Sequence, residues 1–413
     1  MKNIKELMLD LKSRNIINNI SNEDKIDSLK NGDGIYIGFD PTAVSLHLGN
    51  YIPITILKRF QNIGLNSIAV LGGATGMIGD PSFKDAERVL LDNKTLTINK
   101  NAIKKQLESF DLEVVDNFDF YKDVSFLDFL RDVGKNITIN YMMAKESVSS
   151  RIETGLSFTE FAYQLIQGND FKILYEKNNV KIQAGGSDQW GNITTGLELI
   201  RKSFGENNAL GITINLLTDS NGNKFGKSVG QPIWLDKSKT SSFSMYQYLL
   251  NQNDVDVEKL LKWYTYFTLE KIEEIISEHN QNKGKKIAQK TLAFEVTKDI
   301  RGKEEAIKAE EITAILFESK KPLTTLKIED IEDIKSDIPF YNNEGKKTNV
   351  IDLLINSKIA TSKREAREFL ASKTILIDGQ SVTDENEEIK PMNFDNKYLL
   401  IKKGKRSYFL VQY

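Results

Sequence analysis

In the first half of the chain, apolar and β-branched residues cluster in short runs at Gly34–Phe39, Ser67–Leu71, Val180–Gln183 and Ile212–Leu217. Longer stretches at helical spacing separate them. Short apolar runs alternating with helices predict buried strands of a parallel sheet, and such sheets bind ligands at the carboxyl ends of their strands. The first three runs each enter a glycine-bearing turn: Gly38-Phe39-Asp40-Pro41, Gly72-Gly73-Ala74-Thr75-Gly76 and Gly185-Gly186-Ser187-Asp188. Three such turns at corresponding strand ends predict one shared cleft.

From Ser241 to about Ser319 the spacing is helical only, as in Tyr246-Leu249-Leu250, Leu260-Leu261-Tyr264, Ile272-Ile275-Ile276 and Leu292-Val296. Residues 320–347 hold Pro322, Pro339 and mixed polar residues, which predicts a linker. The tail predicts a small α+β unit. Helical patterns at Val350–Ile355 and Ser362–Leu370 precede strand-like Thr374–Ile377 and Tyr398–Ile401, with Asp378-Gly379 as a turn signal. The expected divisions are residues 1–220, a loop and linker at 221–240, a helical domain at 241–319, a linker at 320–347 and a last domain at 348–413.

Composition narrows the chemistry. A chain of 413 residues exceeds one typical core. The absence of cysteine removes disulfides, thiolate metal sites and thiol nucleophiles. Two distant histidines, His47 and His279, argue against a His-rich metal site. No apolar run reaches membrane-spanning length, and Met1–Ile20 lacks the pattern of a signal peptide. A cytoplasmic protein without membrane partners is expected. The net charge of −2 gives no global case for nucleic-acid binding.

Two segments carry candidate phosphate chemistry. In Asp40-Pro41-Thr42-Ala43-Val44-Ser45-Leu46-His47-Leu48-Gly49-Asn50, a strand ends, a turn follows and a helix begins near His47. A helix N-terminus offers N–H groups and a positive dipole end to phosphate. His47 and Thr42 would add donors, Gly49 would permit close approach, and Pro53 is placed in the first helical turn. The competing reading of His47 is an ordinary capping or surface histidine. The second segment, Asn223-Lys224-Phe225-Gly226-Lys227-Ser228-Val229-Gly230, lacks P-loop spacing because position 221 is Asn221. It predicts a mobile loop with two lysines and a hydroxyl, suited to charge on departing pyrophosphate, or else a solvated surface turn.

His47-Leu48-Gly49-Asn50 and Lys224-Phe225-Gly226-Lys227-Ser228 resemble the two signatures of class I aminoacyl-tRNA synthetases. With Tyr36-Ile37-Gly38-Phe39-Asp40-Pro41-Thr42, Gly73-Ala74-Thr75-Gly76-Met77-Ile78-Gly79-Asp80-Pro81-Ser82 and Gly185-Gly186-Ser187-Asp188-Gln189-Trp190-Gly191-Asn192, the chain resembles the bacterial-type tyrosyl-tRNA synthetases over essentially its whole length. The resemblance implies an α/β, Rossmann-like catalytic domain with a dimerisation insertion, then a helical tRNA-contacting domain and a small α+β RNA-binding domain. It implies tyrosine activation by ATP and transfer to tRNA(Tyr).

Site roles follow from the same resemblance. Tyr36 and Asp170 would bind the tyrosine hydroxyl; Tyr163, Gln167 and Asp80 its ammonium; Gln183 is also carried over as tyrosine-binding. Gly38, Asp40, Gly49, Asn50, Gly186, Asp188, Gln189 and Lys227 would bind ATP. Thr42, His47, Lys84, Arg88, Lys224, Lys227 and Ser228 would stabilise pyrophosphate in the transition state. Spacing alone supports part of this. Tyr163, Gln167 and Asp170 fall on one helical stripe, beside an apolar stripe of Phe158, Ala162 and Leu165. A buried polar stripe needs either a ligand or a structural network. Lys84 and Arg88, four apart, either share an anion or form an ordinary exposed pair.

Magnesium is expected to accompany ATP without a dedicated protein site. Arg201, Lys202, Lys363, Arg364, Arg367, Lys402, Lys403, Lys405 and Arg406 are the expected tRNA contacts; the alternative for the tail is a solvated charged surface. A homodimer is implied, with Phe126–Lys145, including Phe129, Leu130, Met142 and Met143, matching the interface region or else ordinary core. Two departures stand out. Asn50 replaces the second histidine of the first signature, and Ile37 occupies a position where some relatives are small and polar. A tryptophan-specific relative and a non-catalytic RNA-binding protein are the rivals, opposed by Tyr36, Asp170, Asp80 and the lysine loop.

Overall fold

The computed structural model describes residues 3–80, 82, 91–152, 155–228, 231–318, 321–404 and 407–413, with the backbone alone at 227 and 228. Lys84, Arg88, Lys405 and Arg406 lie outside the described residues. The chain divides into two units, residues 1–236 with 258–276, and residues 237–257 with 277–413.

The first unit is built on β1 (Ile17–Ile20), β2 (Gly34–Phe39), β3 (Asn66–Leu71), β4 (Glu113–Asp116), β5 (Val180–Gly186) and β6 (Leu210–Ile214). Their spatial order is β1-β6-β5-β2-β3-β4. All neighbours are parallel except β1 with β6. The chain lays down β2, β3 and β4 outward on one side, then crosses to β5 and β6 on the other. That reversal beside β2 opens a crevice at the carboxyl ends of β2 and β5. The four interior strands fall at the predicted runs, with β6 at Leu210–Ile214 and not Ile212–Leu217, and are mostly buried and apolar. The outer strands β1 and β4 are four-residue edges with exposed or half-exposed positions, so their apolar signal is weak.

Three helices position the crevice: α1 (Leu48–Gln61) after β2, α2 (Phe158–Lys177) before β5, and α3 (Trp190–Phe204) after it. His47 is the N-cap of α1. Pro53 is the sixth residue of that helix, not in its first turn as expected, so the Gly49 carbonyl lacks its intrahelical donor. On α2, Leu165 is buried but Phe158 is 67% exposed, so the expected apolar stripe stops short of the helix start.

Residues 258–276, expected to be part of one helical domain, group with the first unit. Buried guanidiniums hold them there. Arg14 donates to the carbonyls of Lys262 (3.0 Å) and Phe267 (2.7 Å), and Arg59 to that of Thr265 (2.5 Å). Asp10 balances the charge, 2.7 Å from Arg14 and 3.8 Å from Arg59. Burial, with Arg14 alongside, lowers Arg59 to about 10.

In the second unit a five-stranded sheet runs in the order 380–381, 375–377, 398–403, 407–412, 340–342. Its two faces are both buried. Leu399, Ile401 and Val411 join Val350, Leu353, Leu354 and Leu370 of two small helices. The alternate residues Tyr398, Leu400, Tyr408 and Leu410 join Ile312, Leu316, Ile331 and Ile334. Residues 320–347 therefore do not form the expected linker. They supply a helix at Ile328–Ile334 and the strand Phe340–Asn342, both packed into this unit. His279 is 1% exposed, with Nε2 3.2 Å from Asp254, in the same unit. No described helix is long and apolar enough to cross a membrane.

Replacing Asp10 by Asn strands two buried cations. Asp10→Asn is expected to cost about 3–5 kcal/mol. The check is a lower urea midpoint, with backbone amides of 258–276 losing hydrogen-exchange protection first.

Candidate active site

The crevice is lined by Tyr36, Gly38 and Asp40 from β2 and its turn, Thr75 and Asp80 after β3, and Asn117 after β4. Tyr163, Gln167 and Asp170 of α2 and Gly186, Asp188 and Gln189 after β5 complete it. Ten residues expected at the site from their motifs thus meet in one place. The i, i+4, i+7 stripe on α2 faces the crevice because its helix packs against the sheet beside β5.

At the inner end, Asp170 is 2% exposed. Asn117 Nδ2 donates to its Oδ2 (2.9 Å) and Tyr121 Oη to its Oδ1 (2.6 Å). Burial pushes Asp170 up to about 7, while those two donors pull it down. The Tyr36 hydroxyl is buried and has no hydrogen-bond partner among the described residues. Burial and the neighbouring Asp170 charge raise its pKa well above the ordinary phenol value. A buried hydroxyl without a partner is costly unless a ligand supplies one.

Amide side chains orient the next layer. Asn192 Nδ2 donates to Gln167 Oε1 (3.0 Å) and Gln189 Oε1 (3.2 Å), which turns the Gln189 NH2 toward Asp80 Oδ2 at 2.7 Å. Asp80 Oδ1 also accepts from Ser82 N at 3.0 Å. Thr75 Oγ1 donates to Asp40 Oδ1 (3.1 Å), and Tyr163 Oη lies 3.4 Å from Asp40 Oδ2. Gly72 makes room for that pair, since a Cβ there would stand 2.4 Å from Asp40 Oδ1.

The two signatures come together at the start of α1. His47 Nδ1 accepts from Gly49 N (3.0 Å), and Asn50 Oδ1 accepts from His47 N (3.1 Å), a reciprocal capping box. His47 is thus the helix cap, and an accepting Nδ1 leaves the proton of a neutral imidazole on Nε2. Leu48 N donates to Ile233 O (2.7 Å) and Ile233 N to Gly226 O (3.1 Å). These bonds pin the Lys224–Ser228 segment against the first signature. Gly226 has φ +101°, and a Cβ on it would lie 2.8 Å from Gly49 N. Lys224 and Thr42 are exposed.

Gln183 does not line the crevice. It is buried on β5, its Oε1 without a partner among the described residues and directed toward Gly196. Its register pairing with Tyr36 on parallel strands puts both side chains on one face of the sheet, so Gln183 stands beside the crevice without being among the residues that line it. Thr75 and Asn192 stand in the quoted motifs without an expected role, and Asn117 and Tyr121 lie outside every motif. Asn117 and Tyr121 follow β4, and recognising that edge strand would have placed both at the carboxyl edge.

The expected tRNA contacts are largely paired. Arg201 bonds Glu198 (2.7 Å), Lys363 approaches Asp352 (3.3 Å), Arg364 bonds Glu368 (3.0 Å) and Arg367 bonds Glu385 (2.5 Å). Lys403 donates to Ile359 O (2.8 Å), and Lys402 lies over the Tyr408 ring. Lys202 is exposed. Among the described residues, no group of three or more His, Asp or Glu is arranged to hold a metal.

A parallel sheet with a crevice at its reversal point, joined to a capped helix and a lysine loop, is the catalytic framework of a class I aminoacyl-tRNA synthetase. Residues 31–318 match the family model "tRNA synthetases class I (W and Y)". Residues 330–411 match the "Tyrosine--tRNA ligase SYY-like C-terminal domain". The tyrosine–tRNA ligase of Mycoplasmopsis pulmonis (strain UAB CTIP) is 51% identical over 410 residues, covering 99% of this chain and 98% of that protein. That of Ureaplasma urealyticum serovar 10 is 50% identical over 409 residues, covering 98% of each. A C-terminally truncated mitochondrial tyrosyl-tRNA synthetase of Aspergillus nidulans superposes with a TM-score of 0.69 at 30% identity, over 77% of this chain and 95% of that one. The chain belongs to the tyrosyl-tRNA synthetase family, as a tyrosine–tRNA ligase that uses ATP.

Gly226→Ala tests the contact between the two signatures. The strained φ and the clash with Gly49 N must displace the lysine loop, and a displacement of about 1 Å costs on the order of 10²-fold in rate. Pyrophosphate exchange should fall accordingly while tyrosine binding, measured by equilibrium dialysis, stays near normal.

Proposed function

We propose that Tyr36 and Asp170 read the phenolic hydroxyl of tyrosine, with Tyr36 donating to its oxygen and Asp170 accepting its proton. The observation that carries this is the buried, unpartnered Tyr36 hydroxyl beside a carboxylate already supplied by two other donors. Phenylalanine leaves the buried Tyr36 hydroxyl unpaired and denies Asp170 the phenol's donor, so the loss of one ligand hydroxyl is felt by two protein groups. Asp80, Tyr163 and Gln167 hold the ammonium, where a carboxylate meets a cation through charge-assisted hydrogen bonds. Gln183, paired with Tyr36 on the same face of the sheet, borders the tyrosine site.

ATP lies along Gly38, Asp40, Gly186, Asp188 and Gln189. Gly38 supports this, because a Cβ there would meet nothing within 4 Å although it sits on an interior strand. Asp188 accepts from ribose hydroxyls. Gly49 and Asn50 border the nucleotide, and the donor end of the Asn50 amide faces the ribose while its oxygen serves His47. The tyrosine carboxylate attacks the α-phosphorus in line, and the bond to pyrophosphate breaks. Charge developing on pyrophosphate is met by Thr42 in the turn after β2, by His47 at the start of α1 and by Lys84, Arg88, Lys224, Lys227 and Ser228. Magnesium would come with the ATP phosphates and neutralise part of their charge. A ribose hydroxyl of the terminal adenosine of tRNA(Tyr) then attacks the tyrosyl carbonyl, and AMP leaves.

The basic residues of α3 and of the tail make the tRNA contacts, by exchanging exposed ion pairs for phosphate. Such pairs are each worth little, so the exchange is cheap and salt-dependent. The protein works in the cytoplasm as a homodimer. Support comes from Phe126, Leu127 and Ile139, which are 63%, 75% and 65% exposed within the segment 126–145.

The test is exchange of labelled pyrophosphate into ATP with tyrosine, phenylalanine and tryptophan. Tyrosine alone should drive it efficiently; no tyrosine-dependent exchange would defeat the assignment. Lys227→Ala should slow adenylate formation while tyrosine binding is nearly unchanged, since its role is toward the ATP phosphates and the departing pyrophosphate.

A further inference from the structure

Tyr121 does not line the crevice, yet it makes the shortest hydrogen bond to Asp170. Its ring is held edge-on by Phe129 at 6.1 Å, which fixes where the hydroxyl points. The hydroxyl has one proton and two acceptors in reach, Asp170 Oδ1 at 2.6 Å and the Ile166 carbonyl at 2.9 Å. Asn169 Nδ2 approaches the same oxygen at 3.4 Å. With Asp170 ionised, the proton goes to the carboxylate in a charge-assisted bond. With Asp170 protonated, the roles reverse: Asp170 donates to the Tyr121 oxygen, and Tyr121 donates to Ile166. Tyr121 is satisfied in both states, and the geometry of the first is the stronger.

We propose that Tyr121 is a positioning residue for amino-acid selection, holding Asp170 as an oriented carboxylate acceptor so that a phenol is chosen over a bare phenyl ring. This rests on the assignment of Asp170 to the tyrosine hydroxyl.

The groups around Asp170 are Tyr36 from β2, Asp40 after it, Asn117 and Tyr121 from the segment after β4, and Tyr163 on its own helix. Burial and Asp40 raise Asp170; Tyr121 and Asn117 lower it. Removing the Tyr121 hydroxyl takes away a lowering influence. Asp170 then ionises at higher pH, and less of it is a carboxylate at neutrality.

Tyr121→Phe keeps the ring and deletes the bond. The acid limb of the pH profile of kcat/KM for tyrosine should move up by about one pH unit. The tyrosine-to-phenylalanine ratio of kcat/KM at pH 7 should fall about tenfold. Tyr121→Met, of similar bulk and without a hydroxyl, should reproduce both shifts. In an Asp170→Asn background, Tyr121→Phe should change the ratio no further. An unmoved limb with an unchanged ratio in either folded variant overturns the proposal, as do additive losses in the double variant. If Asp170→Asn alone preserves the ratio, the underlying assignment of Asp170 fails, an outcome distinct from a silent Tyr121.

Discussion

A carboxylate taken out of water has to be met by donors, and the demand made by Asp170 organises the inner half of this catalytic unit. Two of its neighbours, Asn117 and Tyr121, come from beyond β4, at the far edge of the sheet. A third, Tyr36, comes from β2, the strand where the sheet reverses. Asp170 itself rides on α2, which reaches the crevice from the opposite half. The carboxylate therefore joins both halves at the point where their topology leaves a gap. The remaining polar layer, from Gln167 through Asn192 and Gln189 to Asp80, runs outward along the same helix and the turn after β5.

The outer half rests on backbone more than on side chains. His47 and Asn50 close a capping box, and Gly226 touches Gly49 where no side chain fits. Side chains near the crevice mouth can vary so long as these main-chain contacts persist. That accounts for Asn50 standing in a signature that ordinarily ends in histidine: an amide oxygen serves the reciprocal cap equally well.

The legible parts of the fold were those where one physical signal dominated. β2, β3, β5 and β6 are buried on both sides and read as apolar runs. The Asp378-Gly379 turn was equally plain, both residues adopting left-handed φ, 48° and 86°. What escaped notice depended on tertiary partners. β1 and β4 are edges, and Asn117 and Tyr121 could be placed only once β4 was known. The segment 320–347 looked like a linker because Leu323, Leu326, Ile331 and Ile334 lie among prolines and charges, too few for a clear period. Gln183 comes from the family resemblance, and its place beside Tyr36 follows only from the pairing of β2 with β5. His47 was ambiguous between cap and ligand; it is a cap, in a place where a cap can also serve.

The two-faced sheet of the second unit sets an order of events during synthesis. Ile312, Leu316, Ile331 and Ile334 emerge from the ribosome before the strands at 398–403 and 407–412 that cover them. About 5–20 residues are added per second, so these side chains wait roughly 4–20 s for Leu410. Phe340–Asn342 waits likewise for its parallel partner. The nascent chain thus carries a complete catalytic framework ahead of an unfinished apolar surface, and its last strand closes a core begun a hundred residues earlier.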